Sequence, residues 1–68
     1  MDQEAFNMSI RKFLKVVGVS SQREIEQAVA AALQTGLLAG NETLPVTMTL
    51  ELGALKLSTK FEGEIQLA

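Results

Sequence analysis

From Leu44 onward, apolar residues take every second place: Leu44, Val46, Met48, Leu50 and Leu52, then Leu55 and Leu57 beyond Gly53-Ala54. Strand side chains alternate faces, so this spacing predicts a β-hairpin with one apolar face. A two-residue loop with Gly first suits a type II′ turn. That turn pairs Leu52 with Leu55, Leu50 with Leu57 and Met48 with Thr59. On the other face it sets Glu51 against Lys56, Thr49 against Ser58 and Thr47 against Lys60, pairings that cross-strand energetics favour. Pro45 lacks an N–H, which places it at the start or on the outer edge of the first strand.

The alternation continues through Phe61, Ile65 and Leu67. One strand from Leu55 to Leu67 would span roughly 43 Å, twice the roughly 21 Å of a helix over residues 21–35. A three-residue loop at Phe61-Glu62-Gly63 avoids that overhang, with Gly63 in the left-handed place of a bulge. It turns the sheet into three strands, 45–52, 55–60 and 64–67, about the minimum for a self-sufficient sheet.

Helical spacing governs the first half. Phe6, Ile10, Phe13, Leu14 and Val17 lie on one stripe, with Asp2 placed to cap the start. Gly18 is suited to stop that helix. Ser21-Gln22-Arg23-Glu24 has the form of a capping box and would open a second helix. Its stripe is Ile25, Ala28, Val29, Ala32 and Leu33, and Gly36 ends it. The expected architecture is a single α+β domain over residues 1–68. Two helices (3–17 and 21–35) pack on a three-stranded antiparallel β-meander. The alternative is two helices plus one long β-hairpin.

Sixty-eight residues bury too little surface for easy stability, and with neither Cys nor His in the chain no disulfide or ordinary zinc site can assist. Tight packing or self-association is left, and the 47% hydrophobic content supplies the material. A net charge of −2 disfavours nucleic acid, whose binders usually carry a basic excess. No apolar run approaches membrane-spanning length, and the acidic start does not resemble a secretory signal. The cytoplasm is therefore the expected compartment.

Candidate chemistry is sparse. The commonest general base is missing, Ser20 and Ser21 are accounted for as caps, and Ser58 sits on a solvated face. No glycine pattern forms a phosphate loop, and Glu62 with Glu64 reads as a turn residue and a partner for Lys60. The expectation is a non-enzyme with no cofactor and no metal.

The segments Phe6-Asn7-Met8-Ser9-Ile10-Arg11-Lys12-Phe13-Leu14-Lys15, Val17-Gly18-Val19-Ser20-Ser21-Gln22-Arg23-Glu24-Ile25-Glu26 and Gly40-Asn41-Glu42-Thr43-Leu44-Pro45 resemble a family of small bacterial proteins of unknown function. The resemblance implies a stand-alone protein and carries no activity, ligand or site residue with it.

Protein interaction is the leading reading, with a homodimer or another protein as partner. The first strand would be an open sheet edge whose centre, Val46 to Leu52, carries a single charge, Glu51, with Val46, Thr47, Met48, Thr49 and Leu50 as the candidate interface. Leu37, Leu38, Val16, Val19 and Phe61 are apolar residues left over from the expected core and would form its rim. The runner-up is a helix-turn-helix-like nucleic-acid binder with the hairpin as a wing, touching phosphates through Arg11, Lys12 and Lys15.

Overall fold

The computed structural model describes all residues, Met1–Ala68, as one long α-helix followed by a two-stranded antiparallel hairpin. The chain divides into two compact units, Met1–Leu37 and Leu38–Ala68. It is α+β, but the two helices and the three-stranded meander expected from the sequence are both corrected.

Helix α1 runs unbroken over Gln3–Gln34, 32 residues. At ~1.5 Å per residue it is about 48 Å long. Asp2 caps it as expected, its side chain accepting from the Ala5 N–H at 3.1 Å. Gly36, at φ +81°, takes the left-handed place after Thr35 that ends it. The expected turn at Gly18–Ser21 is absent. Gly, Val and Ser in a helix interior each cost up to about 1 kcal/mol relative to Ala. A break would leave about eight backbone groups to be capped afresh, and that is the larger loss. Ser21 and Glu24 therefore form no capping box. Arg11, Lys12 and Lys15 sit mid-helix, away from the negative helix end that was expected to favour them.

Joining the helices merges their stripes. Val17, Ser21, Ile25, Val29 and Ala32 are the half-buried residues of α1. They recur every three or four positions along one side. No residue of α1 is buried.

The hairpin consists of β1, Thr43–Leu52, and β2, Leu57–Gln66. Of the two sheet forms weighed from the sequence, the long hairpin is the one present. The length argument against it assumed a separate helix over residues 21–35, and no such element exists. No loop forms at Phe61–Gly63; all three residues lie within β2.

The turn is also corrected. A four-residue connection replaces the two-residue loop: a 3-10 turn at Gly53–Leu55, then Lys56 in the left-handed region at φ 54°, ψ 32°. Its N–H donates to the Gly53 carbonyl at 3.1 Å. The register consequently moves by two residues. Leu52 faces Leu57, Leu50 faces Thr59, Met48 faces Phe61, Val46 faces Gly63 and Leu44 faces Ile65. A shift of two keeps every residue on its expected face. It exchanges the Glu51–Lys56 pair for Met48–Phe61 and Leu44–Ile65, and apolar cross-strand pairs favour that choice. Leu55, expected on the apolar face, is left 72% exposed at the loop tip.

Candidate interaction surface

The hairpin ladder determines which backbone groups remain free. The Leu67 N–H donates to the Glu42 carbonyl at 3.0 Å, extending the register one pair beyond Thr43–Gln66. Hydrogen-bonded and non-bonded pairs alternate in an antiparallel ladder. Counting inward from Glu42–Leu67, the even residues of β1 bond within the hairpin. The odd residues, Thr43, Pro45, Thr47, Thr49 and Glu51, direct their backbone groups outward. Pro45 thus occupies a slot where no N–H is required, as its chemistry demands.

The same parity sorts the side chains. Leu44, Val46, Met48, Leu50 and Leu52 share a face with Leu57, Phe61 and Ile65. No residue of this face is buried, and Met48 and Phe61 are 41% and 57% exposed. Gly63 leaves a notch opposite Val46, where an added Cβ would lie 3.7 Å from Val46 Cγ1. The other face carries Thr47, Thr49, Glu51, Ser58, Lys60, Glu62 and Glu64.

The residues singled out from the sequence are therefore divided. Val46, Met48 and Leu50 stand on the apolar face, and Phe61, expected in a turn, joins them opposite Met48. Thr47 and Thr49 stand on the polar face and present the outward edge. Leu37, 80% exposed, closes the helical unit, and the half-buried Leu38 opens the hairpin unit. Arg11, Lys12 and Lys15 are exposed and line a shallow patch with Met8 and Ser9 on α1. The helix-turn-helix they were to serve is absent, because its turn is helical.

Sequence reasoning missed Glu42. Its carboxylate accepts from the N–H groups of Ala39 at 2.8 Å, Gly40 at 2.9 Å and Asn41 at 3.2 Å. Successive amides converging on one anion form a nest. With its carbonyl tied to Leu67, Glu42 fastens the Ala39–Asn41 connection to the open end of the hairpin. The signal was present in Gly40-Asn41-Glu42, where Gly40 adopts φ 108°, but a turn alone does not say which side chain closes it.

The Ala39 N–H above all, then that of Gly40, holds the Glu42 carboxyl below its ordinary value of 4.5. A depressed carboxylate stabilises the fold above its unfolded pKa, and that support is lost as pH falls through the folded value. The window lies below about pH 4.5. In an NMR titration the Ala39 and Gly40 amides are expected to shift with a midpoint below that value, and Glu42→Gln should abolish the transition. A midpoint at or above 4.5 would contradict the nest.

The chain belongs to a family of unknown function, DUF6494, whose family model matches residues 1–68. This bears out the resemblance seen in the sequence. No curated protein and no solved structure matches the chain. No helix is long and apolar enough to cross a membrane.

Proposed function

We propose that this chain is a self-associating interaction module without catalysis of its own, completed by a second copy. One observation carries the reading: neither unit contains a buried residue, although each carries a continuous apolar surface. A lone helix and a two-stranded hairpin are each marginal in water. A chain with 47% hydrophobic residues gains its stability where those surfaces meet something else. The outward backbone groups of Thr47, Thr49 and Glu51 supply a directional contact, since β1 can add a strand there. Paired β1 strands from two copies would make a four-stranded sheet with two-fold symmetry and one shared apolar face. The cytoplasm is the compartment this reading expects, in keeping with a small chain that uses no disulfide.

Sedimentation equilibrium over a wide concentration range tests it. The expected result is a mass that is a multiple of 7.3 kDa and persists on dilution. A cooperatively folded monomer of 7.3 kDa at micromolar concentration would overturn the proposal.

A further inference from the structure

We propose that α1 pairs antiparallel with α1 of a second copy, the two helices crossing near Gly18; this rests on the self-association reading. The apolar stripe runs the length of the helix, through Phe6, Ile10, Phe13, Val17, Ser21, Ile25, Ala28 and Ala32. A partner that covers all of it has to be about as long as α1, and a second α1 meets that requirement.

Side-chain size sets the direction. The first half of the stripe is large, with Phe6, Ile10, Phe13 and Leu14, and Phe6 is 46% exposed. The second half is small, with Ser21, Ala28 and Ala32 interleaved among Ile25 and Val29. Antiparallel pairing about the middle of Gln3–Gln34 brings Phe6 between Ala28 and Ala32 of the other copy, and Phe13 over its Ser21–Ile25 turn. Large then meets small along the whole seam, as close packing requires. Parallel pairing would set Phe6 on Phe6 and Phe13 on Phe13, and would leave alanines facing alanines across a gap.

Charge points the same way. The first half carries Arg11, Lys12 and Lys15 against Glu4; the second carries Glu24 and Glu26 against Arg23. Antiparallel pairing sets the basic stretch Arg11–Lys15 level with the stretch that holds Glu24 and Glu26 of the second copy, twice by symmetry. Parallel pairing would bring the two basic clusters side by side.

Gly18 fits the crossing. It lies in the helix interior, and apart from its chain neighbours and the adjoining helix backbone nothing comes within 4 Å of where its Cβ would stand. No contact within the chain calls for a glycine there, whereas a helix crossing at that level would. The stripe advances by steps of 4, 3, 4, 4, 4, 3 and 4, longer on average than the 3.5 of a left-handed coil. A continuous seam with that spacing winds in the opposite, right-handed sense.

The chain has no cysteine, so a single introduced thiol carries one spin label per copy. Ser9 is exposed and lies off the stripe. With Ser9→Cys labelled, pulsed dipolar spectroscopy on the associated protein should read about 30 Å for antiparallel helices and below about 20 Å for parallel ones. Arg11→Glu should weaken association several-fold, and adding Glu26→Arg should restore it. A short distance, or no restoration by Glu26→Arg, overturns the antiparallel pairing while leaving self-association standing. A monomeric labelled protein that keeps its helix content removes both.

Discussion

Met48→Lys is expected to cost the hairpin its structure. Met48 stands mid-face, opposite Phe61 and between Val46 and Leu50. Where the proposed self-association covers this face, an unpaired ammonium there costs about 3–5 kcal/mol. Small domains hold little more than that in total. Loss of strand signal in far-UV circular dichroism and a fall in melting temperature of more than about 15 °C should follow. Ser58→Lys, on the opposite face and on β2 against Glu51, should stay within about 0.5 kcal/mol of the parent. Equal melting of the two variants would mean that the Met48 face is open to water in the working protein.

Thr49→Pro should weaken assembly while leaving the β1–β2 ladder intact at concentrations where the copies still associate. Thr49 directs its N–H outward, so proline removes no bond of the β1–β2 ladder. Pro45 already occupies a slot of the same parity. The hairpin should persist by circular dichroism. Association should weaken by about 10- to 100-fold, since a symmetric β1–β1 contact loses two hydrogen bonds of about 1 kcal/mol each and meets two rings in their place. Leu50→Pro is the control, because Leu50 bonds inward and its replacement should break the hairpin itself. If Thr49→Pro folds and associates as the parent does, the copies do not meet along β1.

The faces of the sheet were legible in the sequence because a period of two survives any even shift in register. The register was not, because it depends on the turn. Gly53-Ala54 is compatible with a tight type II′ loop, and only the summed gain of Met48–Phe61 and Leu44–Ile65 favours the wider connection closed by Lys56. Both ends of α1 were legible from Asp2 and Gly36. Its middle was not. Gly18 and Ser21 carry the chemistry of helix ends, and local chemistry does not reveal whether anything obliges the chain to turn back. The error then propagated: beside a helix taken to span only residues 21–35, one strand from Leu55 to Leu67 looked unsupported. Of the candidate surface, the β1 stretch was visible, but its division between two faces required the ladder, and the Glu42 nest required the backbone of Ala39–Asn41.

The unequal edges of the hairpin bear on how far assembly can proceed. A two-stranded sheet with two equivalent free edges is a polymerisation monomer, since each addition exposes a fresh site and growth has no end. Here the edges differ. The outward positions of β2 are Ser58, Lys60, Glu62, Glu64 and Gln66, three of them ionised, whereas those of β1 carry a single charge, Glu51, and are interrupted by Pro45. When two β1 strands meet, both permissive edges are consumed at once, and the outer rims of the product are charged on either side. If the copies pair along β1 as proposed, termination is built into the first step, and raising the protein concentration would drive the chain toward a finite complex in place of a fibre.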